Sequence, residues 1–301
     1  MLSPELPSSR QALTAAVVLA SAGRPDQLRQ VIEDLRKQEG VTFRAVVSVP
    51  DATSLPVDAD AIAGWEVVQG TRGLAAQRNA ALLTLTGVDI VFFFDDDAVV
   101  RGDYLRNALT LFDEHPGIVG LTGRVLLDGA NSAEVPVEVA TQALARSREE
   151  QLTGGWSDSR TLYGCNFAFR RTAARDIRFD ARLPLYSWLE DHDFARRLLR
   201  IGTLARAHDC VIVHRAVASG GRQAHTRLGY SQVMNPHYLM RKGSFPVWLA
   251  AWETFRPVAK NLALAVAGPD TGRRRERAKG NLLAIADIVG GRVTPERITE
   301  L

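Results

Sequence analysis

The feature that most constrains the fold is the run Val91-Phe92-Phe93-Phe94-Asp95-Asp96-Asp97-Ala98-Val99-Val100, in which an apolar segment leads directly into three adjacent carboxylates. A β-branched and aromatic run this short, entered through Thr86-Gly87-Val88-Asp89, reads as a strand buried on both faces within a parallel sheet. The acids then stand at its carboxyl end, where open α/β sheets receive their ligands. Three neighbouring carboxylates repel one another, so they call for a compensating cation or for a strongly hydrated turn. Oxygen ligands of this kind suit Mn2+ or Mg2+, ions that share their coordination with substrate phosphates.

The rest of the chain alternates strands and helices. Residues 13–20 (LTAAVVLA) form a strand that runs into Ser21-Ala22-Gly23-Arg24-Pro25-Asp26. Pro and Asp at a helix entrance, followed by Leu28, Val31, Ile32 and Leu35 at helical spacing, predict a helix there. Residues 43–49 give a second strand, stopped by Pro50-Asp51, and residues 65–68 a third, followed by an Ala-rich helix over 74–85. Four strands with intervening helices before residue 100 predict a nucleotide-binding α/β half. Beyond it the pattern predicts a helix over 103–114, then a strand over 118–127 whose Gly120 and Gly123 signal a bulge or close backbone approach. A helix over 135–150, a loop at 153–156 and a strand over 162–170 follow, then a helix over 194–201 and short strands at 203–207 and 210–214. The expected fold class is therefore α/β, with a mixed, mostly parallel central sheet flanked by helices and a helical C-terminal extension. The expected domains are a flexible leader (1–12), a catalytic domain (13–225) divided near residue 100, and a helical extension (226–301).

Composition narrows the function classes. The 301 residues, 46% hydrophobic and 24% charged, suffice for a sizeable core and do not resemble a disordered chain. With 37 basic and 34 acidic residues the formal charge is only +3, and no nucleic-acid partner is expected. Arg273-Arg274-Arg275 with Arg277 and Lys279 is either a solvated helix face or a surface for anionic lipid. Cys165 and Cys210 make neither a disulfide framework nor a zinc cluster and suit a reducing compartment. No signal-peptide pattern opens the sequence, and the apolar stretch 245–268 is interrupted by Glu253, Arg256, Pro257 and Lys260. A cytoplasmic location is expected, with peripheral membrane contact or pairing of two protomers as uses for the aromatic face of Tyr238, Phe245, Trp248, Trp252 and Phe255. Plain packing against the catalytic domain is the simpler use.

An ordered set of motifs carries a family resemblance. A strand followed by Arg24-Pro25, Asp51 after the second strand, Arg72-Gly73 with Arg78-Asn79, Phe94-Asp95-Asp96-Asp97, Gly164-Cys165-Asn166-Phe167-Ala168-Phe169-Arg170-Arg171, Phe179-Asp180 and Glu190-Asp191-His192-Asp193-Phe194 together resemble the family 2 glycosyltransferases of GT-A fold over residues 13–215. The resemblance implies an inverting transfer of sugar from a UDP- or GDP-linked nucleotide-sugar donor to a carbohydrate or lipid-linked acceptor. It further implies that Asp97 ligates the metal directly and Asp95 contacts ribose or metal-bound water, with Asp96 beside them and His214 completing the metal sphere. Asp191 matches the general base. Ala20, Ser21, Arg24, Asp51, Arg72, Gly73, Arg78 and Asn79 fall on donor-binding positions, although Pro50-Asp51-Ala52-Thr53 replaces the Asp-Asn-Gly-Ser of many relatives.

On the acceptor side, Trp156, Asn166, Trp188 and Glu190 are candidates, since aromatic faces stack on pyranose rings and amides bond hydroxyls in two directions. Arg215 and Gly220-Gly221-Arg222 suit a lid over the diphosphate. Each assignment has a plainer counterpart: a histidine after a strand as a structural group, acids at a helix start as partners of its dipole, Asp51 as a turn cap, tryptophans as core. Two rival functions stay open here, a nucleotidyltransferase on a related sheet and a non-catalytic carbohydrate- or lipid-associated scaffold.

Overall fold

The computed structural model describes residues 12–130, 133–150, 154–217, 224–266 and 270–301. The expected leader, residue 12 excepted, and Gly220, Gly221 and Arg222 of the expected lid lie outside the described residues. In chain order the regular elements are β1 (Ala15–Ala20), α1 (Pro25–Leu35), β2 (Arg44–Val49), β3 (Glu66–Gln69), α2 (Leu74–Thr84), β4 (Ile90–Asp95), β5 (Ala98–Val100), α3 (Tyr104–Glu114), β6 (Ile118–Asp128), α4 (Val137–Glu149), β7 (Trp156–Ser159), β8 (Asn166–Arg170), α5 (Glu190–Leu198), β9 (Thr203–His214), α6 (His225–Arg241), α7 (Val247–Val266) and α8 (Thr271–Val289).

All described strands join one sheet in the order β3-β2-β1-β4-β8-β6-β9-β5, with β7 added along β9. Strands β1, β2, β3, β4, β6 and β9 run one way, and β5, β7 and β8 run against them. The sheet is thus mixed and mostly parallel, as its sequence pattern predicts. Alternation decides what each face buries. Val17, Leu19, Phe92 and Phe94 join a core with Leu28, Ile32 and Phe112, whereas Val18, Val91 and Phe93 point the other way to Phe167, Phe179 and Phe194. Each fully buried phenylalanine contributes roughly 2–3 kcal/mol, which commits the FFF run to the middle of the sheet.

Among the elements that differ from their sequence readings, two bear on the site. The expected short strands at 203–207 and 210–214 are one strand, β9, whose pairing with β6 jumps from Ala207 opposite Gly123 to Val211 opposite Arg124. The polar His208-Asp209 sits in that irregularity and reads from sequence as a break. The helix expected over 194–201 starts earlier, at Glu190, so Asp191 and Asp193 occupy its first turn. The glycines of β6 do mark close approach: a Cβ at Gly123 would lie 2.4 Å from the Cys210 carbonyl oxygen, and one at Gly120 2.6 Å from Leu204.

Helices α6, α7 and α8 pack on one another at the carboxyl-end side of the sheet. Between α6 and α8 the backbones touch. A Cβ on Gly229 or on Gly280 would stand 2.1 Å from the carbonyl oxygen of Arg277 or of Thr226. Asn261 of α7, fully buried, donates to Gln232 Oε1 of α6 at 2.9 Å and to Asn281 Oδ1 of α8 at 3.1 Å, and Asn281 donates on to the Gly229 carbonyl at 2.7 Å. This satisfied polar thread fixes the three helices in register. Among the described residues no helix is long and apolar enough to cross a membrane.

The end of α8 is held by Asp287, buried beside Arg292 and Arg297 and accepting the Tyr230 hydroxyl at 2.8 Å. Burial opposes its charge, but these hydrogen bonds outweigh it and hold its carboxyl down at about 2. A carboxylate titrates at about 3.9 when unfolded. The folded form therefore binds its proton less readily, and the stabilisation is complete above pH ~4 and lost as pH falls towards 2. Asp287→Asn is expected to cost roughly 1–3 kcal/mol at pH 7, a deficit that narrows on acidification when urea unfolding is compared at pH 7 and pH 3.

Candidate active site

The carboxyl ends of three like-directed strands deliver the polar groups, Asp95 from β4, Asp128 from β6 and His214 from β9, and β1 ends beside Asp95 at Ala20. After Asp95 the chain turns and pairs β5 antiparallel with β9, placing Ala98 opposite His214. That long-range pairing sets Asp97 alongside the histidine. Asp95, Asp97 and His214 present ligand atoms within 4.8 Å of one another.

The histidine is oriented for the role. Its Nδ1 lies 2.8 Å from Asp128 Oδ1 and its Nε2 3.5 Å from Asp97 Oδ1, while the Tyr163 hydroxyl donates to the other Asp128 oxygen at 2.7 Å. A ring nitrogen steered by an outer carboxylate is the usual support of a metal-binding imidazole. Burial lowers the affinity of His214 for a proton, but Asp128 and Asp97 outweigh it and raise its pKa to about 9. Asp128 is held down at about 2, and Asp97 below the usual carboxylate range, each by its bond to His214 against the effect of burial. Two carboxylates and one imidazole, all partly or fully buried, fit a divalent cation such as Mn2+ or Mg2+.

Asp96 points elsewhere. Ser21 Oγ donates to it at 2.6 Å, and Arg24 binds Asp96 and, at 2.9 Å, Asp97. Burial first, and Asp97 second, push Asp96 up to about 7 against the pull of Arg24. Arg24 thus braces the acidic turn while lining a cavity of about 430 Å3 with Ala20, Arg72, Gly73, Asp96 and Asp97. Gly73 has φ +135°, and a Cβ there would meet the Leu185 nitrogen at 3.0 Å, so its close approach is to backbone of this chain. Arg72 pairs with Asp51 at 3.3 Å, and Asp51 also accepts the Thr53 and Ser54 hydroxyls, outside the cavity lining.

A second cavity, of about 480 Å3, adjoins the first and shares Leu74, Asp95, Tyr186, His214 and Leu228 with it. It is lined by Glu190 and Asp191 from α5, by Trp188, and by residues of α7 and α8. Asp191 accepts the Gly164 N–H at 2.9 Å on one oxygen and the His192 N–H at 2.8 Å on the other. Asp97 and Asp191 therefore open onto neighbouring chambers that meet at Asp95 and His214. Asp193 turns away, to Lys242 and Arg197.

Several sequence candidates land elsewhere. Arg78, expected at the donor, is 1% exposed and spans Glu190 Oε1 at 2.6 Å, Asp95 at 3.3 Å and the Gly164 carbonyl at 2.7 Å. Its guanidinium lies 5.2–5.4 Å from the rings of Phe93, Phe167 and Phe179. Burial, then Asp191, pushes the Glu190 carboxyl well above its ordinary range against the pull of Arg78. Asn79 spends both amide ends on the Phe179 backbone. Asn166 is fully buried and bound to Tyr104 and the Gly123 N–H, so its amide is not offered to an acceptor. Trp156 sits on the edge strand β7, edge-on to His115, outside both cavity linings, and Arg215 Nε donates to the Val135 carbonyl. Sequence reasoning missed Asp128, Tyr163, Tyr186 and Gln77, which bonds the Ser21 and Ser48 carbonyls at 2.8 Å. Asp128 had a signal, since it ends an apolar strand as Asp95 does.

A family model described as glycosyl transferase family 2 matches residues 16–178, more than half of the chain. The solved structure of the mannosyltransferase PcManGT from Pyrobaculum calidifontis in complex with GDP-Man and Mn2+ is similar at 17% identity and TM-score 0.56, over 96% of this chain and 86% of that one. S. aureus TarS 1-349 is similar at 16% identity and TM-score 0.58, over 95% of this chain and 82% of that one. Of a longer S. aureus TarS structure the chain spans 40%. At these identities the likeness is one of fold. No curated protein matches the chain.

Arg78 generates the sharpest structural expectation. Arg78→Met leaves Glu190 buried without its cation and is expected to cost about 3–5 kcal/mol in denaturant unfolding. Arg78→Met/Glu190→Leu should recover a large part of that loss; no recovery means the two groups are not coupled.

Proposed function

The chain belongs to glycosyl transferase family 2 and is a glycosyltransferase of GT-A type fold, and from that premise we propose an inverting, metal-dependent transfer of a sugar from a nucleotide diphosphate to an acceptor hydroxyl. Family membership favours glycosyl transfer over the nucleotidyltransferase and scaffold readings. The observation that carries the mechanism is the meeting of two chambers at Asp95 and His214, with Asp97 on one side and Asp191 on the other.

In this reading the cavity of Arg24, Arg72 and Asp96 receives the nucleotide-sugar, UDP-linked before GDP-linked, and the cavity of Trp188 and Asp191 receives the acceptor. Asp95, Asp97 and His214 would hold Mn2+ or Mg2+, which supplies neutralisation of the charge that develops on the departing diphosphate. Asp128 keeps the His214 Nε2 turned towards that site. Asp191, fixed by two backbone N–H groups, retains lone pairs to accept the proton of the attacking hydroxyl. Attack on the face opposite the leaving group needs this single base and inverts the anomeric carbon. Glu190 and Arg78 hold the start of α5 against β4, so the base keeps its place beside the donor chamber.

Residues 13–225 serve as the catalytic domain and 226–301 as an extension that walls the acceptor chamber. A polysaccharide or a glycolipid under assembly is the proposed acceptor. The exposed Trp248, Trp252, Phe255, Leu262 and Val266 follow one another at helical spacing on α7 and support contact with a bilayer surface or a second copy of the chain. Sedimentation with anionic vesicles and the mass in solution distinguish the two.

A panel of UDP- and GDP-sugars with Mn2+ tests the proposal through donor hydrolysis and transfer. Asp191→Asn is expected to lower kcat by about 10²–10⁴-fold with donor affinity unchanged; near-normal turnover rejects it as the base. Chelation with EDTA should abolish turnover, and Asp128→Asn should weaken Mn2+ binding by about 10–100-fold. His214→Ala with unaltered Mn2+ affinity removes the histidine from the metal sphere.

A further inference from the structure

The acceptor chamber has walls of opposite charge. Strand ends and α5 line it with Asp95, Glu190 and Asp191, whereas α7 and α8 line it with Arg256, Lys260, Arg274 and Arg277 against one acid, Glu253. The α8 half of the cationic wall is anchored. Arg274 donates to Asn261 Oδ1 at 3.1 Å, and Asn261 is the fully buried centre of the amide thread that joins all three helices. Arg277 is placed by the backbone contact of α8 with Gly229 and bonds His225 at 3.3 Å. His225 is pushed below its usual range by burial first and by Arg277 next, the sign expected in a positive field. Trp188 and Tyr186 also line the chamber and stack on each other, with ring centroids 6.3 Å apart.

A neutral carbohydrate has no use for four cations beside the base, and the donor chamber already has Arg24 and Arg72 of its own. We infer that the wall formed by α7 and α8 is an acceptor subsite for an anionic group, a phosphate or carboxylate carried by the acceptor away from its reacting hydroxyl. This rests on Asp191 marking the acceptor end of the chamber. Arginine forks and lysine ammonium groups recognise such oxyanions through charge-assisted hydrogen bonds. The aromatic pair would receive the sugar ring between base and anion.

The test titrates the full chain, with Mn2+ and saturating UDP or GDP filling the donor chamber, against methyl mannoside, its 6-phosphate and methyl glucuronide. The anionic glycosides are expected to bind at least tenfold more tightly than the neutral one at 50 mM salt, with the advantage shrinking at 300 mM. Arg274→Gln and the exposed Lys260→Gln should each cut that advantage at least threefold with nucleotide affinity unchanged, and Arg275→Gln, off the cavity lining, should leave it intact. Equal affinity for neutral and anionic glycosides overturns the inference. So does a loss of nucleotide affinity in step with the variants, which assigns the wall to the donor diphosphate. Octyl mannoside 6-phosphate separates the carriers: tightening beyond tenfold points to a lipid-linked acceptor and none to a soluble one, the anion contact standing in both. Donor hydrolysis by the wild type is scored separately, so its absence counts against the transfer mechanism and not against this subsite.

Discussion

The site depends on one buried guanidinium. Arg78 reaches from α2 to Asp95 at the end of β4 and to Glu190 at the start of α5, with three phenylalanine rings beneath it. A cation enclosed by apolar rings is tolerable only with acids beside it, and an acid as buried as Glu190 only with a cation. Each therefore fixes the other. The pairing joins the strand that carries the acidic turn to the helix that carries Asp191, two segments nearly a hundred residues apart in sequence. Both chambers inherit their relative placement from it.

A second constraint is the direction of the strands. Asp95, Asp128 and His214 meet because β4, β6 and β9 run alike and end together, although β8 lies between β4 and β6 and runs against them. The short antiparallel pairing of β5 with β9 then brings Asp97 to the histidine. Asp128 acts at a distance from the chemistry. By engaging Nδ1 it leaves Nε2 as the nitrogen presented to Asp97, and Tyr163 secures it in turn.

The sheet was legible because its signal is local: apolar runs closed by Gly, Pro and Asp mark β1, β2 and β4 without reference to the rest of the chain. The positions of the acidic turn, His214 and Asp191 at element ends were legible for the same reason, and the fold brings the first two together. Arg78 and Asn79 misled, since a polar residue on an Ala-rich helix reads equally as a phosphate contact or as a buried tie, and only the position of Phe167, Phe179 and Glu190 decides between them. Trp156 misled because an aromatic near a glycine pair gives no hint of which edge of the sheet it will join. The helical tail hid its contribution most completely. Arg256, Lys260, Arg274 and Arg277 look like ordinary charged helix positions until the fold brings α7 and α8 to a chamber that Asp95 and His214 also line.

The close approach of Gly229 to the Arg277 carbonyl and of Gly280 to the Thr226 carbonyl bears on how such a tail can vary. At these two positions main chain meets main chain with no room for a side chain, and sliding one helix along the other by a residue would carry the groups on α8 about 1.5 Å along its axis and break the Asn281 bond to the Gly229 carbonyl. Arg274 and Arg277 consequently move as a unit or not at all. Redesign of what the chamber accepts is best made by exchanging individual side chains on this stiff frame, because the frame itself offers no graded adjustment.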